Sequence, residues 1–153
     1  MHICKKEIQM SNRINIRKTE PAAYTALLQL ENYMEKTSLS ALHKELIRIR
    51  ASQLNGCAYC LNMHTKDARN LGEKEERLYT LSAWRETPYF SKEEKAILSL
   101  TEEVTMISKG VSAETYTIAV GVLGEKKTAQ VIMASIIINA WNRIGISTQM
   151  MPD

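Results

Sequence analysis

The sequence predicts a single all-α domain, and three observations carry that expectation. Apolar residues recur at helical spacing through nearly the whole chain, and no segment shows sustained apolar–polar alternation between turn signals. Helix-capping residues and glycine stops fall between the periodic stretches. At 153 residues the chain suits one compact domain that buries about 70% of its unfolded surface. The expected architecture is about six or seven helices around one core.

Pro21 occupies a first-turn position, and Tyr24, Leu27, Leu28 and Leu30 follow it, predicting a helix to about Glu35. A second is expected from about Ser40 to Leu54, with Leu39, Leu42, Leu46 and Ile49 on one stripe and Asn55-Gly56 as its stop. A third runs from Cys57 to Leu71, before Gly72. The fourth spans about Glu75 to Trp84. Ser91 with Glu94 forms a capping box for a fifth helix carrying Ile97, Leu100, Thr101, Val104 and Ile107. A shorter sixth covers Ala113 to Leu123. The last, Lys127 to Ile144, is apolar on nearly all sides around Ile132, Met133, Ile136, Ile137 and Ile138, which predicts a place in the core or in a subunit interface.

Composition narrows the function classes. Hydrophobic residues make up 44% and charged residues 24% of the chain, ordinary for a soluble globular protein. The net charge of +3 arises from 20 basic and 17 acidic residues that are interleaved, as in "GEKEER". This pattern describes a solvated surface and argues against a nucleic-acid partner. The opening "MHICKKEIQM" lacks the apolar run of a signal peptide, and "VIMASIIINA" is too short to cross a bilayer. We therefore expect a cytoplasmic protein with no membrane partner. In a reducing compartment the three cysteines, Cys4, Cys57 and Cys60, argue against a structural disulfide framework; a close pair there reads as metal-binding or catalytic.

The pair lies in "NGCAYCLNMH". On an ideal helix at 100° per residue, Cys57, Cys60 and His64 fall within an arc of about 60° and share a face. Leu61, Ala68 and Leu71 continue this stripe, so the cysteines should point inward. One such residue alone would be read as core. Three titratable or polarizable groups together, beginning at a helix N-terminus that favours a thiolate, indicate reactivity. The i, i+3 spacing also permits a disulfide, which needs Cα atoms about 4.4–6.8 Å apart.

Glu45 is the candidate proton acceptor. If the second helix turns sharply into the third, Glu45 lies about 15 Å back along its helix, level with residues two to three turns into the next. There it can face His64 and complete a carboxylate, imidazole, thiol chain. The bland alternative is an i, i+3 ion pair with Arg48. Ser52, on the same side, would either add a hydrogen bond to the site or solvate the helix end. Spacing argues against c-type haem, because Leu61 stands where histidine is needed, and against a zinc finger, because no histidine follows His64. Zinc held by Cys57, Cys60, His64 and Glu45 stays open as a minor reading.

These residues resemble a known family. The segment "ELIRIRASQLNGCAYCLNMHTKDARNLGE", with Glu, eleven residues, CxxC, three residues and His, is similar to the core motif of AhpD-like alkylhydroperoxidases in the carboxymuconolactone decarboxylase superfamily. "RLYTLSAWRETPYFSKEEKAIL" and "INAWNRIGI" add to a resemblance that runs from Arg13 to Ile146. It implies an AhpD-like helical domain over residues 13–153, with residues 1–12, including Cys4, as a flexible extension.

The resemblance further implies a homo-oligomeric thiol peroxidase or disulfide oxidoreductase. Cys60 would attack the peroxide and Cys57 would resolve it through a redox-active Cys57–Cys60 disulfide, with no other cofactor. Glu45 and His64 would relay the proton. An external dithiol, from a lipoyl protein, a thioredoxin-like protein or a peroxiredoxin, would regenerate the thiols. The helix-terminus argument by itself favours Cys57 as the more acidic thiol; proximity of His64 favours Cys60. Tyr59 stands between the cysteines where better-studied relatives carry histidine, and a phenol with a reference pKa of about 10 cannot serve as a base at neutral pH. The decarboxylase branch typically lacks the cysteine pair, so activity on a muconolactone is not implied. The alternative on the same fold is a redox-sensing or interaction protein that does not turn over.

Overall fold

The computed structural model describes residues 13–152, so the expected extension over residues 1–12, with Cys4, lies outside the described residues. Among those described, every regular element is helical: α1 (Ile16–Thr19), α2 (Pro21–Met34), α3 (Ala41–Asn55), α4 (Ala58–Asn70), α5 (Glu75–Thr80), α6 (Lys92–Thr105) and α7 (Ala113–Ser147). Short 3-10 stretches at Leu81–Glu86 and Ile107–Lys109 follow α5 and α6. No helix among these is long and apolar enough to cross a membrane.

Local chemistry sets the boundaries. Ser40, Ser91 and Ser112 accept the N–H groups of His43, Glu94 and Thr115, satisfying donors that a helix start leaves unpaired. The Glu94 side chain in turn accepts the Ser91 N–H at 2.7 Å, completing the expected capping box. Gly124 (φ 77°, ψ 162°) breaks α7 where two separate helices are expected; the connection is so short that the second half starts at once.

Two expectations are corrected. The helix begun at Glu75 loses α geometry after Thr80, because Ala83 takes φ −122°, ψ 34° and turns the chain so that Leu81 and Trp84 both reach the core. Ile107 lies beyond α6 and is 59% exposed, since α6 ends at Thr105. On α2, Leu28 and Leu30 are exposed; the helix meets α7 through an edge contact between Tyr24 and Trp141, with ring centroids 5.2 Å apart, through the Glu31–Trp141 hydrogen bond, and through Met34 in the core.

α3 is the spine. Its Ile47 and Ala51 join Ile97 and Leu100 of α6 and Val131, Ile137 and Ile138 of α7 in one core cluster. Leu46 and Ile49 turn the other way, to Ala68 of α4, Leu81, Trp84, Phe90 and Leu98. Each fully buried aliphatic side chain here stabilises the fold by about 1.5–3 kcal/mol. α3 therefore has little freedom to shift, and what it carries at its C-terminal end is rigidly placed. The expectation that the last helix is core or interface is met in its core half: Val131, Ile137 and Ile138 are buried while Ile136 is exposed.

Glu102 of α6 ties the second cluster together. It accepts hydrogen bonds from Arg50 of α3 (2.7 Å), Trp84 (2.8 Å) and Arg85 (2.5 Å). Burial pushes its carboxyl up, but the three donors outweigh burial and hold it below the ordinary 4.5. A carboxyl so depressed stabilises the fold above the unfolded-state pKa, and that contribution is lost as pH falls through the folded value, below 4.5. Glu102→Gln should lower unfolding free energy at neutral pH by roughly 1–3 kcal/mol. It should also make urea stability fall less between neutral pH and acid than in the wild type; an unchanged pH response would contradict the assignment.

Candidate active site

The site begins at the turn from α3 into α4. Gly56 sits in the left-handed region (φ 72°, ψ 35°), the conformation that ends α3 and reverses the chain at little steric cost. The N–H groups of Gly56 and Cys57 both return to the Ser52 carbonyl, the latter at 3.1 Å. A buried polar seam pins this turn to α7. Asn55 Nδ2 donates to the Oδ1 atoms of Asn139 and Asn142, both at 2.9 Å, and Asn142 Nδ2 donates to Ser52 Oγ at 2.9 Å. Ser52 thus neither reaches the cysteines with its hydroxyl nor solvates the helix end; it is fully buried and joins α3 to α7.

Cys57 caps α4, its Sγ accepting the Cys60 N–H at 3.3 Å. The two sulfurs are bonded to each other across a Cα–Cα distance of 5.3 Å. Both residues are buried, as is His64, which matches the inward face expected from their spacing. Leu71, expected on the same stripe, is exposed because α4 ends at Asn70. The backbone of α7 covers the sulfurs at Gly145, where a Cβ would come within 3.2 Å of Cys57 Sγ and 3.7 Å of Cys60 Sγ. A side chain at this position would crowd Cys57 Sγ and require the neighbours to give by a few tenths of an ångström.

Glu45 and His64 meet as expected: Nδ1 of the imidazole lies 2.9 Å from Oε2 of the carboxylate. The ion pair with Arg48 that stood as the alternative is also present, on the other oxygen, Oε1. Both contacts are made at once, because the carboxylate has two oxygens and α3 delivers it between the two partners. Arg48 continues to Glu31 of α2, whose Oε2 accepts the Trp141 indole N–H at 3.0 Å. Burial raises the Glu45 carboxyl, but the hydrogen bond from His64 and the charges of His64 and Arg48 prevail, and its pKa falls below the ordinary value. Burial likewise opposes the charge on Arg48, and Glu31 and Glu45 more than restore it. Glu45 is thus a fixed anion that holds Nδ1 and leaves Nε2 as the ring nitrogen free for chemistry.

A cavity of about 800 Å³ opens onto this arrangement, reaching Tyr59, Cys60, Met63, His64 and Trp141. Cys57 does not line it; that residue borders a smaller neighbouring hollow with Gly56, Ala58 and Gly145. Cys57 and Cys60, two of the four residues of the minor zinc reading, are bonded to each other in this structure. Ligand atoms of Glu45, His64 and Asp67 do lie within 4.8 Å of one another, although Glu45 and His64 Nδ1 already satisfy each other. Sequence reasoning missed Glu31, Trp141 and Gly145. The glycine carried a signal, an isolated Gly inside an apolar helix, which often marks close backbone approach.

Gly145→Ala should make the Cys57–Cys60 disulfide easier to reduce, because a bonded sulfur cannot rotate away from the new methyl group whereas a free thiol can. Equilibration against a dithiol buffer, read by mass after alkylation, should show a larger reduced fraction than in the wild type. An identical fraction would mean that α7 yields instead.

Comparison with known proteins agrees with this frame. The chain is 41% identical over 139 residues to the uncharacterized protein YdfG of Bacillus subtilis strain 168, covering 90% of this chain and 95% of that one. A crystal structure of ATU0492 from Agrobacterium tumefaciens, a protein of unknown function assigned provisionally as the antioxidant defence protein AhpD, superposes with a TM-score of 0.89 at 33% identity, covering 92% of this chain and 97% of that chain. An uncharacterized peroxidase-related protein of the alkylhydroperoxidase AhpD core from Ralstonia eutropha JMP134 shares the fold at 16% identity, with a TM-score of 0.77 over 90% of this chain and 74% of its own. The carboxymuconolactone decarboxylase family model matches residues 21–103, more than half of the sequence, and the chain belongs to that family, in its AhpD-like group.

Proposed function

We propose that the protein is a thiol-dependent peroxidase or disulfide oxidoreductase in which Cys60 is the attacking thiol and Cys57 the resolving one. The observation that supports this order most directly is that the large cavity reaches Cys60 and His64 but not Cys57. In the reduced protein the Cys60 proton passes to His64 Nε2, and Glu45 stabilises the imidazolium through Nδ1. The thiolate attacks the terminal peroxide oxygen, the O–O bond breaks, and the imidazolium protonates the departing alkoxide. Cys60 is left as a sulfenic acid. The Cys57 thiolate then attacks the Cys60 sulfur, the S–S bond forms, and hydroxide leaves as water.

The peroxide gains two electrons and the cysteine pair loses them, so an external dithiol must return two. A lipoyl protein, a thioredoxin-like protein or a peroxiredoxin has the required chemistry. The reading includes a cytoplasmic homo-oligomer, for which the exposed Leu30 of α2 and Ile136 of α7 offer apolar surface to a second copy.

Reduced protein treated with one equivalent of hydrogen peroxide or of a small organic hydroperoxide should form the Cys57–Cys60 disulfide. Cys57→Ser should stop at a Cys60 sulfenic acid that a carbon nucleophile captures, and Cys60→Ser should give neither product. His64→Ala should slow disulfide formation about a hundredfold, the scale of a lost general acid–base group. Sulfenic acid at Cys57 in Cys60→Ser would reverse the assignment. Disulfide formation without turnover on a dithiol would point to a redox sensor.

A further inference from the structure

We infer that the cavity beside Cys60 selects an anionic amphiphile, and that Arg17 is the residue that anchors its charged end. This rests on the peroxidase reading for the chemistry at Cys60, and it assigns the substrate as an organic hydroperoxide with an apolar body and a carboxylate or comparable anion at its far end.

The charges along the cavity are separated. Contacts running along one wall give the order: Arg17 lies over Tyr24 at 6.0 Å, Tyr24 packs edge-on to Trp141, Trp141 donates to Glu31, and Arg48 links Glu31 to Glu45 and thence to His64. Five side chains, those of Tyr24, Trp141, Glu31, Arg48 and Glu45, thus stand between Arg17 and His64 in this series of contacts. Arg48 is neutralised between its two carboxylates. Arg17 meets no carboxylate among the described residues; its one contact of this kind is the Tyr24 ring, and it is exposed to the opening.

At the opposite end the charge has the other sign. Asp67 lies beside His64, exposed and on the cavity wall. An anionic group is repelled from the sulfur end and drawn to the rim, so such a ligand has one favoured orientation. The wall also carries the apolar and aromatic side chains of Leu28, Met63 and Trp141, beside the paired Glu31 and Arg48. An open cavity of about 800 Å³ falls in the range of ligand sites, about 300–1,000 Å³, and is far larger than hydrogen peroxide requires. The orientation places the carboxylate at Arg17 and leaves the hydroperoxide-bearing part of the chain against Cys60. The redox step is the one given above: the hydroperoxide becomes an alcohol and the cysteine pair a disulfide.

Binding is tested apart from the chemistry. Calorimetric titration of the oxidised, full-length protein with decanoate and with decanol compares two heads on one apolar chain. Decanoate should bind at least about tenfold more tightly, or ~1.4 kcal/mol. Arg17→Ala should erase that preference, Arg17→Lys should keep most of it, and Lys109→Ala, outside the cavity, should leave it intact. Equal binding of the two ligands, no binding of either, or a preference that survives Arg17→Ala would overturn the anchor. On reduced protein, a carboxylate-bearing alkyl hydroperoxide should then form the disulfide faster than its methyl ester does, by a ratio that collapses toward one in Arg17→Ala. Equal rates for acid and ester overturn the substrate class and spare the peroxidase reading. If no hydroperoxide reacts, the peroxidase reading and the substrate assignment fail together, and the titration alone decides whether the cavity binds anions.

Discussion

The arrangement depends on one buried carboxylate held between a guanidinium and an imidazole. Removing an ionised group of this size from water carries a penalty of several kcal/mol even after relaxation, so an unpartnered Glu45 would protonate. Its two oxygens are instead divided between Arg48 and the His64 ring. Charge-assisted hydrogen bonds contribute roughly 1.5–3 kcal/mol each, enough to offset burial and draw the carboxyl below its ordinary range. The consequence is directional. A fixed anion at Nδ1 orients the imidazole and leaves Nε2 for whatever occupies the cavity, much as a buried carboxylate orients a catalytic histidine elsewhere.

This carboxylate can serve a thiol on the next helix only if α3 and α4 hold a constant register. Two kinds of contact maintain it. Ile47, Leu46 and Ile49 lock α3 between two apolar clusters, and the Asn55, Asn139, Asn142 and Ser52 seam fixes the turn that starts α4. Buried polar networks of this kind are costly when incomplete and rigid when satisfied. α7 contributes to both, and then adds Gly145, whose missing side chain gives the sulfurs their space. The long last helix is thus scaffold and lid in one element, which explains why its sequence mixes isoleucines with two buried asparagines.

Much of this was legible before any coordinates. Helical periodicity and capping residues identified the main helices and the break near Gly124, because those signals are local. The common face of Cys57, Cys60 and His64 follows from helix geometry, and the meeting of Glu45 with His64 from the shortness of one turn. Contacts made across long sequence separations were not legible. Nothing local marks Glu31 as the partner of Arg48 or Trp141 as the donor to Glu31, since α2 and α7 are brought together only by the fold. The shift from α to 3-10 geometry after Thr80 was hidden for a similar reason: the turn places Leu81 and Trp84 in the core, and packing overrides a local preference that would have continued the helix.

The central claim is that Glu45 acts on the Cys60 thiol through His64, and the rate of Cys60 alkylation by iodoacetamide as a function of pH tests it most directly. In reduced wild-type protein, with the modified cysteine identified by mass, the rate should titrate with a midpoint below the free-thiol reference of about 8.5. In Glu45→Gln, which keeps the shape and removes the charge, the midpoint should move up toward that reference while the fold is retained. An unchanged midpoint would contradict the account and leave Glu45 as a structural partner of Arg48.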